Sequence, residues 1–475
     1  MATEVTATAR FEQRELSGWG LRPRGRSRVA APRTAAELAA LMARLRVRSE
    51  PVALRGGGCS YGDAALNAGG AVLSTLALNR VLQWDPTTGI VTAEPGVTIA
   101  QLWRQTVADG WWPAVVPGTS AVTLGGAAAM NVHGKNNWHV GAFGDHVLAF
   151  DLLLPSGEIV TCSRQRHAEL FGAALGGLGL FGCFMSLTLQ ARRIHSGLVA
   201  EVQRPYWSLA ALLDALEAAT YWATDLVAWI DTSASGQQLG RGLLKAGREL
   251  LPGEDPDPVR TLSVAPQVGR GGLARLMPPG LLPRLARPLT TPAGVRFANR
   301  GQWARGAGKR AAAFRLETYA RANFLLDAIP DWRDTYQPGG LLQHQAFVPR
   351  AAAPAAFAEL LRRSQRAGVV PSLAVLKKHR PADGVLSYLV DGYSLALDYP
   401  MRRATAARTL ALLAELNDVV ADAGGRVYFA KDATATAAQV RRMYGDQALA
   451  RFAALKERYD PDGLLSTDLY RRVLA

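Results

Sequence analysis

Two glycine-rich stretches carry the chemistry that can be read most directly. The first, Arg55-Gly56-Gly57-Gly58-Cys59-Ser60-Tyr61-Gly62-Asp63, follows the short apolar run Pro51–Leu54 and reads as a strand feeding a turn. The second lies within Pro113–Asp151, where Gly118, Gly125, Gly126 and Gly134 alternate with the hydroxyls of Thr119, Ser120 and Thr123. Glycine lets backbone N–H groups come close to a ligand because no Cβ intervenes. With hydroxyls between and apolar flanks, the pattern suits a diphosphate held by main-chain donors rather than by a lysine. Neither stretch is a Gly-x-x-x-x-Gly-Lys-Ser/Thr loop, and neither is a Gly-x-Gly-x-x-Gly turn followed by a distant acid. Either loop alone could simply turn a corner. In tandem, with His133-Gly134-Lys135 attached, they can bracket something long and anionic.

This pair resembles the FAD-binding half of the vanillyl-alcohol-oxidase type, or PCMH-type, family of FAD-linked oxidases. Within that family it is similar to the branch of polyprenyl-phosphoryl-ribose oxidases. The resemblance runs from Leu16-Ser17-Gly18-Trp19-Gly20 to the last helix. It implies FAD as cofactor, held by Arg55, Gly56, Gly57, Gly58, Cys59, Ser60 and Tyr61 of the first loop and by Pro117, Gly118, Thr119, Thr123, Gly125 and Gly126 of the second. Gly177, Gly179 and Gly182 are expected to approach the dinucleotide elsewhere, with Val132, His133 and Tyr428 also at the cofactor. Many relatives tether the flavin through a histidine in the first loop, and Cys59 stands at that position here. Noncovalent FAD is therefore expected. A cysteinyl bond would require a thiolate, which forms readily only where the thiol pKa is lowered.

The reaction implied is oxidation of a secondary hydroxyl, with loss of the hydroxyl proton and transfer of the C–H hydride to flavin N5. Lys431, after the apolar run Val427-Tyr428-Phe429-Ala430, is the leading candidate for the protein's part. A lysine head in a desolvated pocket has a lowered pKa, and its charged form stabilises an alkoxide. The alternative is a strand-end lysine reaching out to water. By residue-wise resemblance Tyr61 and His133 join it as catalytic candidates. Lys135, Trp229, Gln343, Gln345, Lys377, Ser394 and Ala396, with Lys431 itself, become substrate candidates. Gln343 and Gln345 alternate, so both can face one side of a strand. Cations at 135, 377 and 431 suit a phosphorylated sugar, although Lys377-Lys378 could equally be a solvated pair. Ala396 and Ser394 replace the cysteine and asparagine of the ribose-oxidase branch, and His379 stands where an aromatic is expected. The substrate pocket is thus altered, which makes a changed sugar plausible.

The resemblance implies a polyprenyl-phosphoryl ribose or a related phosphorylated sugar, oxidised at the 2′-hydroxyl as the first half of an epimerisation. A separate NAD(P)H-dependent reductase would complete it. Two other readings stay open: a sugar-lactone or alditol oxidase of the same superfamily, and a noncatalytic protein that binds anions or a membrane surface.

The elements that must position these residues follow from periodicity. Thr34–Val47 reads as a helix capped by Thr34, and Thr98–Asp109 as a second. Val147–Leu154 and Glu158–Thr161 read as a hairpin, and Cys183–Ala191 as a strand. Later strands are expected at Leu198–Arg204, Val227–Thr232, Leu341–Pro349, Ser372–Lys378, Ser394–Tyr399 and Arg426–Ala430. Ser208–Thr220, Ala353–Ala367 and Arg403–Ala423 supply helices. Strands and helices without a regular βαβ period give an α+β fold with two domains. The expected division is a lead-in at 1–17, a PCMH-type FAD domain at 18–195, a substrate domain over the flavin at 196–425, and a segment at 426–475 returning to the FAD domain. A flexible basic insertion with little periodicity is expected at 253–310.

The 475 residues carry 49% hydrophobic and 20% charged side chains, which predicts a well-buried globular protein without disordered character. No apolar run is long enough to span a membrane, and Met1–Glu15 lacks an apolar signal region. Three cysteines without metal-ligand spacing argue for a reducing compartment and no disulfide framework, and no metal site is expected. A cytoplasmic protein is expected. Its net charge of +15 is uneven, since residues 260–310 hold ten Lys or Arg and no Asp or Glu. That segment is expected to meet an anionic substrate or the inner face of the membrane. No nucleic-acid module accompanies the charge, so no nucleic-acid partner is expected.

Overall fold

Short β-branched and apolar runs between turn residues become strands, and the chain gathers most of them into three sheets. The computed structural model describes residues 9–268, 280–308 and 314–475. Glu12–Ser17, Arg24–Ala30, Ala71–Ser74 and Val52–Arg55 form a four-stranded sheet in that order, the last two pairs parallel. Val81–Asp85, Ile90–Ala93, Cys183–Gln190, Val147–Leu153 and Ile159–Ser163 form a five-stranded antiparallel sheet. The first glycine loop leaves the end of Val52–Arg55, and the second runs into the short helix Leu124–Ala129. Thr34 caps Ala35–Val47 through the Glu37 N–H, and Thr98 and Gln101 cap Ile99–Thr106 reciprocally.

Eight strands build the large sheet, in the order Arg315–Thr318, Leu198–Tyr206, Gly242–Glu249, Asp225–Ile230, Leu373–His379, Gly392–Pro400, Leu341–Pro349 and Arg426–Val427. Strand periodicity sends alternate residues to opposite faces. His344 points to one side, where its Nε2 meets Asn417 Oδ1 of the helix Ala406–Asp422 at 3.0 Å. That helix, Leu209–Ala219 and Ala353–Arg366 pack against the large sheet. Gln343 and Gln345 point the other way, into a cavity. Helices and sheets of this kind make the chain α+β.

Three expectations need correction. The strand at Arg426–Ala430 stops at Val427, because the Lys431 and Asp432 N–H groups both turn back to the Tyr428 carbonyl. Those two strand residues pair with Ala346 and Phe347, so residue 426 begins on the large sheet rather than in the FAD half. Further along the tail, Val52 N–H donates to Leu464 O, and Arg472 pairs with Asp63. The basic segment is not structureless in its described part, since Pro292–Ala307 is a helix with Val295, Asn299, Trp303 and Gly306 buried. Arg270, Arg275, Lys309 and Arg310 lie outside the described residues. Among the described residues, no helix is long and apolar enough to cross a membrane, and no cluster of His, Cys, Asp or Glu could hold a metal ion.

Candidate active site

The two glycine loops meet face to face. A Cβ on Gly56 would lie 2.1 Å from Thr123 Oγ1, so only glycine allows the loops this approach. Thr123 in turn caps the helix Leu124–Ala129, its hydroxyl accepting from the Gly126 N–H. Arg55 does not reach outward. Its guanidinium donates to the carbonyls of Ser17 and Ala65 and so braces the first loop from behind. A third segment pins the second loop: Asp327 accepts from Thr119 Oγ1 at 2.7 Å and from the Ser120 N–H and hydroxyl at 2.8 and 2.6 Å. The turn that carries Lys431 is tied to the first loop through Tyr61 N–H to Ala430 O at 2.7 Å. Gly62 is required there, since a Cβ would fall 1.7 Å from the Asp432 carbonyl oxygen. Lys431 Nζ thereby sits 3.9 Å from the centre of the Tyr61 ring.

The loops form one side of a cavity of about 780 Å³, and the large sheet forms the other. Antiparallel register places Lys377 beside Ser394, Val375 beside Ala396, and Gln345 beside Ala396 in turn. Gln343 donates to Asp398. Tyr428 donates to Met130 O at 3.0 Å and Tyr388 to Asn131 O at 2.7 Å, their rings 4.0 Å apart beside His133. The Lys135 ammonium turns to the Ala322 carbonyl. The rim is apolar: Leu325, Leu326 and Ile329 line the cavity, and Leu325 and Ile329 are also exposed.

A family model for an FAD binding domain matches residues 27–163, which contain both glycine loops, and one for D-arabinono-1,4-lactone oxidase matches residues 348–473. A decaprenylphosphoryl-beta-D-ribose oxidase of Mycolicibacterium smegmatis is 30% identical over 442 residues, covering 89% of each chain. The chain belongs to the PCMH-type family of FAD-linked oxidases. An L-gulonolactone oxidase of Bos taurus is 33% identical over 159 residues, 34% of this chain and 36% of that one. A cytokinin dehydrogenase 7 of Oryza sativa subsp. japonica is 33% identical over 196 residues, 39% and 35% of the two chains. The protein is thus an FAD-dependent oxidoreductase acting on CH–OH groups. The glycine cradle fits the cofactor, because both glycine loops line a large cavity and Gly56, pressed against Thr123, leaves no room for a side chain.

Electrostatics in this oxidase divide along the same two sides. Burial lowers Lys377 to about 7, with the neighbouring Lys135 and Lys431 pushing the same way. Burial lowers Lys431 to about 8 while Asp398 and Cys59 pull it back. Lys135 falls to about 8, chiefly by burial. Asp398 rises to about 6 by burial, against the Gln343 hydrogen bond and Lys431. His133 and His379 fall well below the ordinary histidine value, first through burial and then through Lys377, and so remain neutral. Burial pushes the Cys59 thiol up to about 12, against the pull of Lys431, Arg333 and Arg55. A thiol so protonated is a poor nucleophile, which counts against a cysteinyl tether.

Of the residues assigned from the sequence to cofactor, substrate or catalysis, all but one lie on this cavity wall. The exception is Gly177, which follows the helix Ala168–Ala174 at a place where a Cβ would strike the Ala173 carbonyl and the Phe181 ring. Gly179 and Gly182 do reach the wall. Sequence reasoning missed Asp398, Asp327, Lys245 and Gln302. Gln302 has a findable signal: Thr291-Pro292 is a cap followed by proline at the first helical position. Asp327 has none, since its partners lie about two hundred residues away.

Proposed function

We propose that this oxidase removes a hydride from a secondary hydroxyl of a phosphorylated, lipid-linked sugar, with the 2′-hydroxyl of a polyprenyl-phosphoryl ribose as the best-fitting substrate. The observation that carries the reading is the pairing of a cationic interior with an apolar rim. Neither Lys377 nor Lys431 has a salt bridge among the described residues, yet both are buried deeply enough to lose much of their basicity. Buried ammonium groups without a partner are costly, and a phosphate supplies one. A lipid tail leaving past Leu325, Leu326 and Ile329 would cover apolar surface that a small alditol leaves bare. The relative that covers 89% of its own length against this chain is named for such a substrate.

Bound FAD supplies the two-electron acceptor. This chain's residues orient the sugar and manage the proton. Lys431, on the turn that touches Tyr61, takes the hydroxyl proton in its neutral form or stabilises the alkoxide as an ammonium. Gln343 and Gln345 present amides to the sugar, and Trp229 an apolar face. The ketone would pass to a separate NAD(P)H-dependent reductase, which completes an epimerisation. The exposed Leu285, Leu289 and Phe297, interleaved with Arg284, Arg287, Arg296 and Arg300, form a surface suited to an anionic bilayer that holds the lipid substrate.

Anaerobic bleaching of the flavin tests this with three substrate classes: a polyprenyl-phosphoryl ribose analogue, aldonolactones and alditols. The expected result is bleaching by the phosphoryl ribose at far lower concentration than by the others. Faster bleaching by a lactone or an alditol would move the protein to the sugar-lactone group, the group of the second family model.

A further inference from the structure

Behind the substrate wall lies a chain of buried polar groups that the proposed function does not use. His379 Nε2 is 2.7 Å from Ser394 Oγ, and His379 Nδ1 is 2.9 Å from Asn137 Oδ1. All three residues are at most 1% exposed, yet Ser394 borders the cavity. The direction of the hydrogen bonds is read from the far end, with Asn137 in the orientation that leaves its Nδ2 without a partner among the described residues. The Arg380 backbone N–H also points at Asn137 Oδ1, at 3.4 Å, and a main-chain N–H can only donate. Asn137 therefore presents its oxygen, His379 carries its proton on Nδ1, and Nε2 is left as an acceptor. Burial beside Lys377 keeps the ring neutral. The Ser394 hydroxyl must then donate to Nε2, which leaves its oxygen lone pairs for other donors.

One of those donors is Gln345 Nε2 at 3.4 Å, which also faces His133 Nε2 at 3.0 Å. His133 Nδ1 faces Gly134 O, so this ring too carries its proton on Nδ1 and accepts at Nε2. With both amide hydrogens committed, Gln345 leaves its carbonyl oxygen free. Ser394 and Gln345 thus form an acceptor patch on a wall that also carries the donors Lys377 and Lys431 and the carboxyl of Asp398. An acceptor patch recognises hydroxyl groups.

We propose that Ser394 and His379, the latter oriented by Asn137, form a relay that moves the proton of the substrate hydroxyl from the cavity onto the buried His379 ring for the duration of the step. The inference rests on the reading of the protein as a sugar oxidase. In the step, the C–H bond breaks and its electron pair leaves as hydride to bound FAD, the oxidant. The O–H bond breaks as its proton passes to Ser394 Oγ, Ser394 gives its own proton to His379 Nε2, and the C=O bond forms. Asn137 accepts from Nδ1–H and steadies the imidazolium. Lys431 then stays an ammonium facing the developing alkoxide. Ser394 touches substrate, whereas His379 and Asn137 are positioning residues that act through it.

Nitrogen NMR of histidine-labelled holoenzyme tests the polarity without any substrate, the His379 signals being assigned from their loss in His379→Phe. The expected pattern is a protonated Nδ1 and a hydrogen-bonded, unprotonated Nε2; Ser394→Ala should move Nε2 to the unbonded position and Ser394→Thr should restore it. A proton resident on Nε2 would overturn the relay. With whichever sugar bleaches the wild type, Ser394→Ala should slow saturated bleaching by about 10²-fold, the scale of general acid–base catalysis, and Ser394→Thr should recover much of the rate. Wild-type bleaching in Ser394→Ala sinks the relay alone. A wild-type protein that no sugar bleaches sinks the sugar-oxidase reading and, with it, this proton path.

Discussion

The two sides of the cavity are built by different means. The glycine side works with its main chain: consecutive residues, two loops locked to each other at Gly56 and Thr123, and donors that owe little to side-chain identity. The sheet side works with side chains alone, contributed by strands that begin at residues as distant as 225, 341, 373 and 392. At Gly56, Gly57 and Gly62 the glycine side leaves no room for a side chain, because an added Cβ meets backbone or a capping hydroxyl. The sheet side can exchange Ser394, Ala396 or His379 while the register between strands stays the same. A scaffold of this kind keeps its cofactor while its substrate changes.

The largest effect should follow from striking the glycine side. Gly56→Val drives side-chain atoms into Thr123, and the purified protein is expected to lack the visible flavin band while keeping its helical circular dichroism. A full flavin band would show that the loops do not hold the cofactor. Next comes Lys431→Ala, which should retain the band but lower the bleaching rate by about 10²–10³-fold, as when one charge-stabilising donor is lost. Wild-type bleaching would remove Lys431 from the chemistry.

A smaller effect concerns stability and pH. Burial holds Lys377 near about 7 and Lys431 near about 8, below the 10.5 of an unfolded lysine. The unfolded chain therefore binds more protons across that window, and stability rises with pH as each lysine sheds its buried charge. The Tm of substrate-free holoenzyme should climb from about pH 7 to about pH 10 more steeply in the wild type than in Lys377→Met. Equal slopes would place the Lys377 head in water. The smallest effect should come from Arg284, Arg287, Arg296 and Arg300. Replacing all four with glutamine should weaken binding to anionic vesicles at low salt, by about 1 kcal/mol per arginine at most, and leave bleaching of a soluble substrate unchanged. Unchanged vesicle binding would make that helical face ordinary surface.

The same contrast explains what could be read from the sequence. The glycine loops were legible because their function lies in neighbouring residues. Gln343 and Gln345 were legible because a period of two puts both on one face. Asp398 was not, since nothing local marks a carboxylate that will be buried beside Gln343 and Tyr61. The strand Gly242–Glu249 was missed because Gly242-Leu-Leu-Lys-Ala-Gly-Arg-Glu has no β-branched residue and two glycines. It is a strand because Leu198–Tyr206 and Asp225–Ile230 bond to its two edges. The run Tyr428–Ala430 looked like a strand and leads into a turn, because pairing with Leu341–Pro349 ends at Val427. The hydrogen-bond chain from Ser394 to Asn137 joins residues far apart in sequence, so it emerges only from the fold.

The division of labour between the two sides is tested most directly by an anaerobic titration of Lys377→Met with a phosphorylated sugar substrate, read at the visible flavin band. A full band at the start, with half-bleaching shifted to at least about tenfold higher substrate, is the result predicted for a buried charge-assisted contact on the sheet side alone. A lost flavin band, or a bleaching curve that overlays the wild type, would contradict it.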